Sequence, residues 1–296
     1  MQTTKKTGGQ VYAILAILLL IVTTTLGSIP IFVIGLMKLF PVKKWQDLCT
    51  RSIDAVVTMW LDFNNMYIKS LKNIQWDISG LNDFNSKEWY LVIANHQSWL
   101  DIVILQQVFN RKIPVLKFFI KDQLKWIPLL GFSWWAMGCP FMKRYSKEYL
   151  AKNPHKKGND LIATQKAIEG FKRTPAAVMS FIEGTRFTPE KKRQQNSPHT
   201  YLLKPKAGGI SFILSAMGSQ LTSVLDVTII YPQQQHSLWD FLSRRVDSIK
   251  VIIRQLPIPK EFTSIQVIED SNTQNDFKEW LNQQWTTKDC LIASAK

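Results

Sequence analysis

The sequence is poor in the residues that build covalent or metal-held frameworks. Its 296 residues include three cysteines, Cys49, Cys139 and Cys290, all far apart. An odd, scattered set excludes a disulfide scaffold and suits a reducing compartment. The four histidines, His96, His155, His199 and His236, have no zinc-site spacing, and no metal is expected. There is no G-x-S-x-G elbow: Ser211 lies in GISFI and Ser215 in LSAMG, so a serine esterase on an α/β sheet is disfavoured. Acidic residues are scarce, 22 against 37 Lys and Arg, for a net charge of +15. That excess points to an acidic partner: nucleic acid, anionic lipid or a phosphorylated substrate.

Charge is missing altogether from Val11 to Met37, a run of 27 residues. A membrane-spanning helix needs only ~20. Lys5 and Lys6 precede the run; Lys38, Lys43 and Lys44 follow it. A signal peptide could use Val11–Val22 and cleave near Thr25-Leu26-Gly27, but the apolar run resumes after Pro30 as IFVIGLM, which a cleaved signal does not need. Pro30, in Gly27-Ser28-Ile29-Pro30, predicts a kink or a turn. Two forms fit: one kinked spanning helix, or a hairpin that enters one leaflet and returns. Lysines on both sides leave orientation open, and the hairpin suits them slightly better. Residues 1–44 are therefore read as a membrane anchor and 45–296 as one domain outside it, without internal repeat or dividing linker.

With 46% of the whole chain apolar, a sizeable core can be buried. Residues 45–72 have the spacing of an amphipathic helix. Ile74–Ile78 alternates like a short strand, and WYLVIA (Trp89–Ala94) is a buried-type strand followed by a helix over 99–109. Further strands are predicted at 115–120, 141–144, 176–182, 224–230 and 249–254. Helices are predicted from Trp134, over 161–171, after Gly208-Gly209 to Met217, and over 276–285. Residues 145–158 and 188–200 read as exposed basic connections. The strand–turn–helix units indicate an α/β fold, a mixed sheet flanked by helices.

The chemistry-bearing residues fall between these elements. In NHQSWLD (Asn95–Asp101), His96 follows a strand and Asp101 lies five residues on. An imidazole can take a proton from an attacking hydroxyl while a carboxylate holds the ring. Ser98 and Asp101 also match the S-x-x-D pattern of a helix cap, and for an isolated H-x-x-x-x-D that structural reading is at least as good. GCPFMKR (Gly138–Arg144) and FIEGTRF (Phe181–Phe187) each bring an arginine close behind an apolar strand. Strand C-termini are where α/β proteins place binding groups, and arginine pairs bidentately with phosphate. Lys204 and Lys206 in LLKPKAGG could hold a phosphate as point charges, a weaker signal. Residues 111–206 carry 20 Lys and Arg against 6 Asp and Glu, whereas 261–296 carry 3 against 6. The basic excess therefore coincides with the motifs. The aromatic segment 115–141 could line an acyl channel, although ordinary core packing explains it as well.

Together these blocks resemble the glycerolipid acyltransferase family, which contains the 1-acylglycerol-3-phosphate acyltransferases. NHQSWLD matches its NHxxxxD block, and GCPFMKR is similar to its second block. FIEGTR is similar to its third, usually FPEGTR, with Ile182 in place of proline. VTIIYP (Val227–Pro232) corresponds loosely to its fourth. The resemblance covers roughly residues 85–235. The stretch after Arg144 and the phrase EGTRFT look more like the lysophospholipid and lysocardiolipin acyltransferase branch, including its bacterial inner-membrane members. The resemblance implies His96 as general base and Asp101 as its partner. It implies Arg144, Glu183, Gly184, Thr185 and Arg186 around the glycerol-phosphate of the acceptor, with 1-acylglycerol 3-phosphate as leading acceptor. The co-substrate would be acyl-CoA or acyl-acyl-carrier-protein, with no bound cofactor and no covalent acyl-enzyme. Membrane phospholipid is the implied partner rather than nucleic acid, and the implied location is the cytoplasmic side of a bacterial inner membrane. Two other readings stay open: another phosphorylated acceptor (lysophosphatidylglycerol, lysocardiolipin, glycerol 3-phosphate), and a non-catalytic, membrane-tethered anion- or nucleic-acid-binding protein.

Overall fold

The computed structural model describes residues 2–70, 74–142, 168–232, 237–264 and 266–296. Arg144, the connection over 145–158 and most of the helix predicted over 161–171 lie outside them; only its end, from 168, is described as helix.

Eight strands are described: β1 (Gln75–Ser79), β2 (Tyr90–Ala94), β3 (Leu116–Phe118), β4 (Ile120–Lys121), β5 (Phe141–Met142), β6 (Ala177–Phe181), β7 (Ser223–Ile230) and β8 (Ser248–Leu256). Six form one sheet in the order β1-β8-β7-β2-β6-β3, and β4 and β5 pair separately. Every pairing in the large sheet is parallel except β7 with β8. Both faces are covered, so the central strands read as unbroken apolar runs; all five residues of β2 and all eight of β7 are buried. Side chains alternate between the faces. Tyr90, Val92, Ala94, Leu225, Val227 and Ile229 pack in one cluster with α3 (Leu100–Phe109). Leu91, Ile93, Val224 and Ile230 pack in a second, with α6 (Ala207–Met217) and the C-terminal helix α9 (Ser271–Ser294).

The N-terminal run forms one continuous helix, α1 (Gln2–Met37), with Pro30 inside it. The chain does not reverse at Gly27–Pro30. It reverses after Met37, through Leu39–Val42, into α2 (Lys43–Ser70). Within α1, Gly9–Met37 is 29 residues long with mean hydropathy 2.4, and it is long and apolar enough to cross a membrane. One side of α1 is occupied. Ile31 shares a cluster with Ile53, Val57 and Leu61 of α2 and with Ala136 of α4 (Leu130–Ala136). A Cβ on Gly35 would come within 2.7 Å of Phe132, so only glycine allows that approach. Further up, the Arg244 guanidinium lies 3.8 Å from the Tyr12 ring centroid. The other side, including Leu15, Leu18, Val22, Leu26 and Val33, is bare. The aromatic segment 115–141 thus docks on α1 through Phe132 and Ala136 and leaves Trp126 80% exposed.

Three local expectations change. Residues 188–200 carry a short helix, α5 (Pro189–Gln194), because Thr188 accepts the Lys191 N–H as an N-cap and Pro189 sits in the first turn. The helix to Met217 begins at Ala207 and includes Gly208 and Gly209. The C-terminal helix runs 24 residues. One short helix was not predicted, α7 (Leu238–Leu242), held by a capping box between Ser237 and Asp240. The short helix α8 (Gln266–Glu269) leads into α9.

Candidate active site

β2 and β6 end side by side, Ala94 opposite Phe181, while β7, opposite Ala94 at Val227, runs on to Ile230. Beyond Ala94 the β2 chain turns toward α3, and Asn95 prolongs the pairing with its side chain. Its amide donates to the Ile229 carbonyl at 2.9 Å and its oxygen accepts the Ile229 N–H at 2.8 Å. The buried Asn95 thus substitutes for a missing rung of the ladder and fixes where His96 begins. The sequence reading gave it no role.

His96 and Asp101 meet. Nδ1 of His96 lies 2.9 Å from Oδ2 of Asp101. A carboxylate only accepts, so Nδ1 carries a proton, and in the neutral ring Nε2 keeps its lone pair, the tautomer a general base needs. The ring stacks on Phe181, centroids 3.9 Å apart and planes 15° from parallel, and its side chain is 14% exposed. Asp101 is fully buried. Its Oδ2 also accepts the N–H groups of Gln97 at 2.6 Å and Ser98 at 2.8 Å, and its Oδ1 accepts the Tyr231 hydroxyl at 2.6 Å. Asp101 therefore bonds both the backbone of the turn and the imidazole. One carboxylate closes the turn before α3 and holds the imidazole.

Phe181–Phe187 wraps around the backbone of His96. Glu183 Oε1 accepts the His96 N–H at 2.8 Å, and the His96 carbonyl accepts the Phe187 N–H at 2.7 Å. The second Glu183 oxygen accepts the Leu203 N–H at 2.8 Å. Glu183 was expected at the acceptor; instead it is fully buried and both oxygens are committed to backbone. Burial pushes its carboxyl up to about 7, against the pull of those two N–H groups and of the Lys288 ammonium behind it.

The rest of that block faces outward. Gly184 has φ +71°, and a Cβ there would lie 2.9 Å from the Lys206 ammonium, which covers the turn. Thr185 accepts a hydrogen bond from Lys191 at 2.9 Å, and the same ammonium donates to the Arg186 carbonyl at 3.1 Å. Lys191, which the sequence reading did not single out, thus braces the turn. Lys204 is exposed, and among the described residues no hydrogen bond or ion pair joins it to the turn. Arg186 is exposed, with its guanidinium 5.3 Å from the Trp99 ring centroid. Both line a cleft of about 780 Å³ that begins at Gln97 and Ser98, beside His96, and runs between Ile102 and Val103 of α3 and Leu238 and Trp239 of α7.

Behind the sheet lies a second charged group. Asp226 projects from β7 toward α9. There Lys288 meets it at 2.7 Å, and Arg254 pairs with it at 2.5 Å. The Lys288 ammonium also donates to the Val227 carbonyl and to Thr228. Asp226 and Lys288 are fully buried, and burial lowers the lysine pKa.

The α/β sheet thus carries a His–Asp pair at its strand ends, an exposed arginine beside it and, alongside, an apolar helix long enough to cross a membrane. The chain belongs to the acyltransferase family: the family model described as Acyltransferase matches residues 75–232, which spans every block above. It is 24% identical over 287 residues to mouse 1-acyl-sn-glycerol-3-phosphate acyltransferase epsilon, covering 90% of this chain and 74% of the mouse protein. It is 23% identical over 267 residues to lysophosphatidylinositol acyltransferase 10 of Caenorhabditis elegans, covering 84% of this chain and 62% of the worm protein. Its fold is similar to the crystal structure of the 1-acyl-sn-glycerophosphate (LPA) acyltransferase PlsC from Thermotoga maritima, with TM-score 0.54, 15% identity and 97% of each chain covered.

Proposed function

We propose that this protein transfers an acyl chain from an acyl thioester, of coenzyme A or acyl carrier protein, to the free hydroxyl of a lysophospholipid, with 1-acylglycerol 3-phosphate as the leading acceptor. The observation that carries the reading is the His96–Asp101 contact at 2.9 Å, with the exposed Arg186 in the cleft beside it. Nε2 of His96 takes the acceptor proton as its oxygen attacks the thioester carbonyl. The tetrahedral intermediate then expels the thiolate, and the imidazolium returns the proton to sulfur, so the enzyme ends as it began. Asp101 stabilises the imidazolium between the two steps. Arg186 takes the acceptor phosphate, with Lys206 adding charge, and Arg144, outside the described residues, is the third cation. The apolar cleft walls, Trp99, Ile102, Val103, Leu238 and Trp239, suit the single chain of a lysolipid, and the bare face of α1 supports work at a membrane surface. The cytoplasmic face of a bacterial inner membrane is part of the same reading.

The test is an acyl-transfer assay with purified enzyme across lysophospholipid head groups. His96→Ala lowers turnover by roughly 10²–10⁴-fold while the protein still folds and stays with the membrane fraction. A loss under about threefold sinks the mechanism. Arg186→Ala raises KM for the phosphorylated acceptor; if donor KM rises instead, the assignment of the phosphate is wrong.

A further inference from the structure

We propose that Tyr231 is a positioning residue of the acyl-transfer centre, its hydroxyl pinning Asp101 so that the carboxylate presents Oδ2 to His96. The inference rests on the function proposed above and adds a third member to its dyad. Tyr231 follows the last residue of β7, and its ring is buried in the same apolar cluster as α3. Its hydroxyl reaches Asp101 Oδ1 at 2.6 Å. The other carboxylate oxygen, Oδ2, takes the N–H groups of Gln97 and Ser98 and the imidazole of His96. Each oxygen thus has its own set of donors. Without the hydroxyl, Oδ1 has no other donor among the described contacts, and the carboxylate is held through Oδ2 alone, which leaves its angle looser.

The hydroxyl is suited to this task. Burial, and then the Asp101 charge beside it, push the tyrosine pKa well above its usual value, so the O–H stays protonated across any working pH and always donates. A donor on Oδ1 also draws charge away from Oδ2, which tempers how strongly the carboxylate favours the imidazolium. Tyr231 therefore sets two things together, the angle of Asp101 and the basicity of His96. Of the other ionisable groups nearby, Glu183 bonds the His96 backbone and Lys288 lies behind it.

Tyr231→Phe keeps the ring and deletes the oxygen. Removing the donor returns charge to Asp101, so the His96 pKa rises and the acid limb of the kcat/KM profile moves to higher pH. Turnover falls about tenfold or more, and KM for donor and acceptor stays within about twofold. In an Asp101→Asn background the same change costs little, because the hydroxyl acts through the carboxylate. The direct measurement follows the His96 imidazole of the full chain in detergent micelles by NMR with ¹⁵N-histidine, assigned by its loss in His96→Ala. An upward His96 pKa in Tyr231→Phe supports the inference. An unchanged or lower pKa, or equal losses in the wild-type and Asp101→Asn backgrounds, overturns it. The NMR arm needs no substrate. If the wild type transfers no acyl chain yet the His96 titration moves, the function is wrong and the positioning role stands. If the wild type is active and the titration does not move, only the positioning role falls.

Discussion

Glu183→Gln separates a residue that binds the acceptor from one that holds the catalytic turn in place. The carboxylate spans two elements, accepting His96 N–H on one oxygen and Leu203 N–H on the other, each at 2.8 Å. A glutamine can accept only one of them, because its NH₂ would face the second N–H donor to donor. The variant therefore orphans one buried N–H, at a cost of about 1–3 kcal/mol. The pH dependence carries a second magnitude. Burial raises the folded carboxyl from 4.5 to about 7. Between those values the folded state keeps a proton that the unfolded chain has lost, so stability falls as pH rises, by about 3 kcal/mol in all at ~1.4 kcal/mol per pH unit. The Gln variant lacks this contribution. Its urea-denaturation midpoint in detergent should lie below that of wild type near pH 5 and vary less between pH 4.5 and 7.5. Turnover should fall as well, because the His96 backbone hangs between Glu183 and Phe187 and a slackened turn misplaces the base. Acceptor KM should barely change. An unaltered midpoint together with a large rise in acceptor KM would refute the reasoning and return Glu183 to the substrate.

Gly184→Ala tests the outward half of the same turn. A Cβ at φ +71° costs roughly 1–2 kcal/mol of backbone strain, while Lys206, a flexible side chain, can swing aside. The midpoint should therefore drop modestly and acceptor KM should rise as the Lys206 ammonium moves; an unchanged KM would remove Lys206 from the phosphate site. Lys288→Met tests the charged group behind the sheet. It leaves Asp226 buried with Arg254 as its remaining ion-pair partner and should cost about 3–5 kcal/mol in thermal or urea unfolding, with Asp226→Asn in the same chain recovering part of the loss.

The parts of this molecule legible in the sequence are those where one physical demand acts on neighbouring residues. The β2 run WYLVIA must be apolar at every position because both its faces are covered, so it announces itself. His96 and Asp101 lie five residues apart on one turn, so their meeting follows from local geometry. Glu183 was visible too, but its role was not. An EGTR turn after a strand looks the same whether its carboxylate points to solvent or folds back 87 positions to the His96 N–H. The same limit applies to Tyr231, whose partner Asp101 is 130 positions away. In VTIIYP it reads as one more apolar strand-end residue, and only the pairing of β7 with β2 brings its hydroxyl to the dyad. Lys288 reads as one polar residue among many on a helix rich in Gln, Asn and Thr. Its burial could have been suspected from Asp226, a lone carboxylate inside the apolar strand SVLDVTII, which cannot be buried without a cation. At Pro30 the local rule allowed either a kinked helix or a hairpin, and the chain takes the single-helix form. A proline in the middle of a helix loses one hydrogen bond, but α1 is held by side chains of α2 and α4 on either side of that point, and packing across elements outweighs the local break. In each case what stayed hidden is a contact between segments distant in sequence, and such contacts fix the surroundings of the His96–Asp101 pair.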